Sequence, residues 1–272
     1  MTQDSPARPS RINSTVATAA GMYDYYLGGK DNFAADRRAA NEVLASAPEV
    51  LLLARENRRF LQRAVRFLTR DAGIEQFLDI GTGLPSQGNV HEIAQAEIAH
   101  ARVVYVDNDP KVLAHSRALK ITAARTTSVI TADLRDPASI LGHPETRALI
   151  DFDQPMAVLL VAVLHFIDDD ADPYGIVAEL CDAMAPGSYL AISHVTGDTR
   201  ADHAKGAASV YKKTKHPATL RTSVQIERFF QDLDLVDPGL TYVADWRPDS
   251  ETDIMPEEAW VLAGVGRKPA TA

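Results

Sequence analysis

One cysteine, few aromatics and a shortage of positive charge mark this sequence: aromatic residues make up 7% of its 272 positions, and 28 lysines and arginines face 37 acidic residues. Each shortage excludes something. Cys181 by itself forms neither an internal disulfide nor a thiolate metal cluster. A net charge of -9 repels phosphate backbones, which argues against non-specific nucleic-acid binding and favours a small or neutral partner. The opening stretch MTQDSPARPSRINST has no apolar segment of the secretory kind, so the expected location is the cytoplasm. The longest apolar run, Met156 to Ile167, is too short to span a bilayer and ends in acidic residues. It suits a buried central strand, and no membrane role is expected.

What is present is a hydrophobic fraction of 46%, enough for a large α/β core and incompatible with a fully disordered chain. Residues 1–15, rich in Pro, Ser, Thr and Arg, read as a flexible arm. Residues 16–72 read as helical, with helices expected over Arg38 to Ala47 and Val50 to Thr69. From residue 73 onward short apolar runs alternate with helix-length segments: Gln76 to Ile80, Val103 to Val106, Ser128 to Thr131, Met156 to Leu164 and Ser188 to Ser193. That alternation predicts βαβ units and a parallel sheet. Asp109-Pro110, Asp136-Pro137 and Asp172-Pro173 each announce a helix, with Asp as cap and Pro at the first helical position. After a helix over Ser223 to Leu233, the runs Leu240 to Trp246 and Ala259 to Val265 are joined only by a loop and should pair antiparallel.

The stretch FLDIGTGLPSQGNV, Phe77 to Val90, is a strand that breaks at two glycines before a helix opened by Asn89 and Glu92, a capping-box spacing. In open α/β sheets ligands bind at such a turn, where Gly81 and Gly83 permit close approach and positive φ. Ordinary turn glycines are the plain alternative. Asp107, at the tip of the second strand, can accept hydrogen bonds from both hydroxyls of a ribose. Asp133, beyond the third, can accept from an exocyclic adenine amine while Leu134 lies against the ring, although a solvated loop carboxylate would look the same. A nicotinamide dinucleotide calls for GxGxxG, yet the third position is Ser86, Pro85 interrupts the loop and the acidic residue arrives late. S-adenosylmethionine, which lacks a phosphate, suits the looser pattern and the antiparallel ending.

The stretches MYDYYLGGKDNFAADR, FLDIGTGLPSQGNVHE, ARVVYVDNDP, ADLRDP, AVLLVAVLHFI, PGSYLAISH and LVDPGL resemble, over nearly the full length, an actinobacterial family of S-adenosylmethionine-dependent methyltransferases formerly catalogued as a domain of unknown function. The resemblance implies a Rossmann-like class I fold over residues 73–272, a seven-stranded, mostly parallel sheet with an antiparallel last strand, preceded by the helical cap. It implies S-adenosylmethionine as cofactor, with Asp79, Gly81, Thr82 and Gly83 at the glycine-rich motif, Asp107 and Asn108 at the ribose and Asp133 with Leu134 at the adenine. Leu84-Pro85 stands where the third glycine of that motif would fall.

On the substrate side, MYDYYLGGKDNF is dense in aromatics and holds Gly28-Gly29. It is expected to be a lid, with Tyr23 near the sulfonium and Lys30 or Asn32 reaching the cofactor carboxylate or the substrate. A packed helix whose tyrosines cover the sheet is the alternative. Arg58 is the expected partner of the methionine carboxylate, against a solvated helix face. His165 and His194 end the fourth and fifth strands, His165 being the better candidate for a base, with a structural role as the alternative for both. The acidic run Asp168 to Asp172 copies calcium-loop spacing, but Pro173 stands where glycine is required, so no metal is expected. Cys181 reads as a small core residue. The expected function is methyl transfer to a small molecule. The alternatives are a nicotinamide-dependent oxidoreductase, for which Tyr26 and Lys30 match a relay spacing, and a non-catalytic cofactor-binding module. Oligomeric state is left open.

Overall fold

A computed structural model describes residues 13–85, 88–115, 125–249 and 258–270. Of the expected arm, only Asn13, Ser14 and Thr15 fall among them; the rest lies outside the described residues. The described residues begin with three helices, α1 (Ala19–Tyr26), α2 (Ala34–Ser46) and α3 (Val50–Arg70). In α3, Leu53, Phe60, Leu61, Ala64, Val65 and Leu68 recur at helical spacing and are all buried. α2 starts ahead of its apolar periodicity because Asp36 closes the turn before it. Its Oδ2 accepts the Phe33 amide at 2.8 Å and its Oδ1 that of Thr18 at 2.9 Å.

The α/β part runs β1 (Gln76–Ile80), α4 (Val90–Glu97), β2 (Arg102–Asp107), α5, β3 (Thr127–Thr131), α6 (Pro137–Leu141), α7 (Pro144–Leu149), β4 (Ala157–Val161), α8 (Pro173–Ala183) and β5 (Tyr189–Val195). α5 opens at Pro110, and residues 110–115 of it are described. Then follow α9 (Ala201–Tyr211), α10 (Ser223–Glu227), β6 (Asp234–Leu235), β7 (Thr241–Tyr242) and β8 (Val261–Arg267). All three Asp-Pro caps form: Asp109 accepts from the Lys111 amide at 2.9 Å, Asp136 from Ser139 at 3.2 Å and Asp172 from Gly175 at 3.1 Å.

The sheet order is β3-β2-β1-β4-β5-β8-β6, parallel from β3 to β5, with β8 antiparallel to β5. Side-chain alternation feeds two cores. Phe77, Val103, Tyr105, Leu159 and Ala191 face α1 to α4 and α9, while Leu78, Val104, Val158, Leu160 and Ile192 face α6 and α8. Strand order reverses between β1 and β4, so a crevice opens above their carboxyl ends. Among the described residues no helix is long and apolar enough to cross a membrane.

Four details differ from the expectation. The edge beyond β8 is broken: β6 pairs at Leu235↔Gly266 and β7 at Thr241↔Ala263, so among the described residues eight strands fill seven positions. The run Leu240 to Trp246 pairs only at Thr241 and Tyr242, because Arg63 draws the next carbonyls inward, donating to Val243 O at 2.5 Å and Trp246 O at 2.8 Å. β4 stops at Val161, where Ala162 turns left-handed (φ 56) and gives its amide to Ser193 Oγ at 2.9 Å; Leu164–Phe166 is then a 3-10 turn. The helix after Thr222 ends at Glu227 and continues as the 3-10 turn Arg228–Phe230. Cys181 is half-buried, packed against the α6–α8 core.

Candidate functional site

The first βα turn is held by its neighbour strand. Gly81 donates to Val106 O at 2.8 Å, and Gly83 donates to Asp107 Oδ2 at 2.8 Å. Both glycines have positive φ, 78° and 68°. At Gly81 there is a second reason, since a Cβ would stand 2.4 Å from Val163 Cγ2. Asn89 and Glu92 form the expected capping box, Glu92 Oε2 accepting the Asn89 amide at 2.9 Å.

Asp107 also accepts the Asp109 amide at 2.8 Å through Oδ1. Each oxygen thus takes one backbone donor and keeps a lone pair for another. Burial pushes its carboxyl up to about 6, against the hydrogen bonds from Asp109 and Gly83. Asp79, at the end of β1, is pushed further, to about 7: burial dominates, Arg58 opposes it and the charge on Asp107 adds to it. Asp133 goes the other way. Its partial burial is outweighed by hydrogen bonds from the Arg135 amide, Asn108 Nδ2 and the Arg135 guanidinium, which hold it below the usual carboxylate range.

A cavity of about 220 Å³ extends from this turn to the underside of α1, α3 and α9. Asp79, Gly81, Thr82, Gly83, Asp107 and Asn108 line it, as do Asp133, Leu134, Arg58, Tyr23 and His165. Arg58 donates to Gly88 O at 3.0 Å and Asn89 Oδ1 at 3.2 Å, so it bridges α3 to the glycine turn. Tyr23 donates to Ala54 O at 3.0 Å and accepts from Asn57 Nδ2 at 2.8 Å, inside a packed helix. Two expected residues are not brought to the cavity. Lys30 is exposed, and the Asn32 amide is spent within its own loop, on Asp24 Oδ2 at 2.7 Å and Gly29 O at 2.9 Å. The Tyr26 and Lys30 relay spacing is not realised either, because α1 ends at Tyr26 and Gly28 turns left-handed.

The two histidines separate. His165 Nδ1 is buried without a partner, and the ring lies against Phe166 with centroids 4.3 Å apart. Burial, with the Arg221 charge behind it, lowers its pKa to about 3, so the ring is neutral. His194 is fully buried and does not line the cavity; alternation along β5 gives that position to Val195. Its Nδ1 donates to Val195 O at 2.7 Å and its Nε2 accepts from Arg221 Nη1 at 2.9 Å, which fixes a neutral tautomer in a structural role. The candidate-base reading of His194 is therefore corrected. Arg221 also holds Ile167 O at 2.8 Å and Asp169 Oδ1 at 2.6 Å, pinning the turn after β4.

Sequence reading missed the residues on α9 and after it. Ala204, Ala207, Ala208, Tyr211 and Leu220 line the cavity, together with Trp260 and the left-handed Ala162. The small-residue run AKGAASVY was a faint signal, since alanines on one helix face leave room beneath them.

A glycine turn after the first strand, buried acids at the first two strand ends and an antiparallel last strand are features of a class I methyltransferase. The residues present fit S-adenosylmethionine, because the space beside Gly83 is open to close approach and the buried carboxyls of Asp79 and Asp107 line the same cavity. The S-adenosyl methyltransferase family model matches residues 5–269, and the chain belongs to that family. A DUF574-family protein from Streptomyces avermitilis is similar, with 42% identity, coverage of 95% of this chain and 100% of that one, and a TM-score of 0.92. So is a methyltransferase candidate from Thermobifida fusca, with 44% identity, 98% and 100% coverage and a TM-score of 0.90. The fold is shared more distantly with the N-methyltransferase NodS from Bradyrhizobium japonicum in complex with S-adenosylhomocysteine, at 14% identity, 92% and 99% coverage and a TM-score of 0.50. The comparison with curated proteins returned no match. The protein is a methyltransferase whose cofactor is S-adenosylmethionine.

Proposed function

We propose that the protein methylates a small molecule held between the glycine turn and the cap, with residues 16–72 as cap and 73–272 as the cofactor domain. The observation that carries this is a continuous cavity lined by Gly81 and Asp107 as well as by Tyr26 and Tyr211, which puts the glycine turn and the first helices around one space. In this reading Asp107 accepts from the ribose hydroxyls, Asp133 from the adenine amine with Leu134 against the ring, Asp79 pairs with the ammonium and Arg58 with the carboxylate. Asn108 orients Asp133, through the hydrogen bond of 2.9 Å.

When bound, S-adenosylmethionine supplies a sulfonium methyl whose carbon–sulfur bond breaks, its electron pair staying on sulfur, as the acceptor's lone pair bonds the methyl carbon. The protein's part is alignment and exclusion of water. His165 Nδ1, neutral and without a partner, takes the proton that the acceptor sheds and passes it to water. A weakly basic imidazole suffices, because that proton becomes strongly acidic as the new bond forms.

Calorimetric titration with S-adenosylmethionine, S-adenosylhomocysteine and NAD tests the reading, with Asp107→Ala as control. The first two bind the wild type, and the variant loses about 10- to 100-fold in affinity, the worth of hydrogen bonds to a charged group. Binding of NAD alone, or unchanged binding by the variant, refutes it.

A further inference from the structure

The cap-side half of the cavity differs from the cofactor half in charge. Among the described residues, the charged ones that line the cavity are Arg58, Asp79, Asp107, Asp109, Asp133 and Arg135, all at or against the turns that follow β1, β2 and β3. The other half is formed by Tyr26, Val43, Leu53, Ala207, Tyr211 and Trp260, without a carboxylate, lysine or arginine in the wall. An ammonium, carboxylate or phosphate placed there would lose its hydration and gain no counter-ion.

The polar groups of this half are mostly committed already. Tyr23 and Asn57 bond each other, Asn57 Oδ1 accepts from Ser193 Oγ at 2.5 Å, and Trp260 Nε1 is taken by Glu49 at 3.1 Å. Two buried atoms are left: Tyr26 Oη and His165 Nδ1. Tyr26 Oη has no well-aligned partner, and the Tyr211 hydroxyl stands within hydrogen-bonding reach of it. An aromatic wall joins the two sites, with Tyr211 5.5 Å from Phe166 and Phe166 4.3 Å from His165, centroid to centroid. A buried ring nitrogen without a partner and a buried hydroxyl held by no well-aligned bond are costly unless a ligand completes them.

We propose that the acceptor is an uncharged, predominantly aromatic hydroxyl compound, seated between α1, α3 and α9 with its polar group meeting Tyr26 Oη or His165 Nδ1. This rests on the methyl-transfer reading above. It excludes amines that are protonated at neutral pH, amino acids and phosphorylated metabolites as acceptors.

The test uses protein saturated with S-adenosylhomocysteine and titrated at neutral pH with 2-naphthol, 2-naphthoate and 2-naphthylmethylammonium, which share one ring system and differ in charge. 2-Naphthol binds at least about tenfold more tightly than either ion, the discrimination expected from burying an unpaired charge. Tyr26→Phe narrows the preference for 2-naphthol over naphthalene, and Ala207→Phe, which fills the chamber, removes 2-naphthol binding. Affinity for S-adenosylhomocysteine within about threefold of wild type shows that both variants are folded. If S-adenosylhomocysteine binds and an ion binds as tightly as 2-naphthol, or 2-naphthol fails to bind, the inference falls and the methyltransferase reading stands. Failure of S-adenosylhomocysteine to bind overturns both.

Discussion

Asp79 makes the sharpest trade between stability and binding in this protein. It is 5% exposed, and its carboxyl is pushed up to about 7 from 3.8. A raised carboxyl pKa means that the folded state holds a proton that the unfolded state has lost, so stability falls as pH rises from about 4 to about 7. A displacement of about 3 units at 1.36 kcal/mol each makes the ionised carboxylate cost the cofactor-free protein about 4 kcal/mol above pH 8. Asp79→Asn keeps the shape and removes the charge. The variant, free of cofactor, is therefore expected to be more stable than wild type by up to about 4 kcal/mol at pH 8 and by well under 1 kcal/mol at pH 4. Urea unfolding at the two pH values measures this, with the transition midpoint read at equal m. With Asp79 paired to the cofactor ammonium as proposed, the same variant is expected to lose at least about tenfold in affinity for S-adenosylhomocysteine. A variant no more stable than wild type at pH 8, or one with an equal gain at pH 4, refutes the argument that burial of this charge is sustained for binding.

Gly81→Ala adds a left-handed alanine and an overlap with Val163, about 2–4 kcal/mol together, whereas Gly83→Ala meets open space and costs only the strain, about 1–2 kcal/mol; thermal unfolding separates them. Lys111 is 2% exposed and reaches Asp36 Oδ2 at 2.9 Å, tying α5 to α2. Lys111→Met strands that carboxylate and costs about 3–5 kcal/mol, with faster proteolysis before α3 as the readout. Arg221→Met removes the positive charge that helps depress His165, so the His165 pKa rises from about 3; an NMR titration that finds it unmoved or lower contradicts the assignment.

Local signals in the chain located most of the frame. β1 coincides with its apolar run, α3 with its stripe, and the three Asp-Pro pairs with helix starts. These features depend on neighbours a few residues apart, which a linear reading contains. The glycine turn was visible for the same reason: strand, glycines and capping box are contiguous, and Asp107 ends the next strand.

Long-range contacts decided the rest. β7 is cut short by Arg63, 180 positions away from Val243, and no local pattern carries that. His165 and His194 look equivalent in the sequence, each following an apolar run. Strand alternation and Arg221, 27 positions beyond His194, commit one to a structural network and leave the other facing the cavity. Asn32 and Lys30 stand beside an aromatic run that suggests binding, yet Asp24 claims the first and solvent the second. The sequence by itself determined the family, the order of the first five strands and the glycine turn, because periodicity, caps and glycine conformations are local. Only the tertiary structure decided which side chains share the cavity and which charges are buried, because desolvation and hydrogen-bond partners depend on residues that meet only after the sheet is assembled.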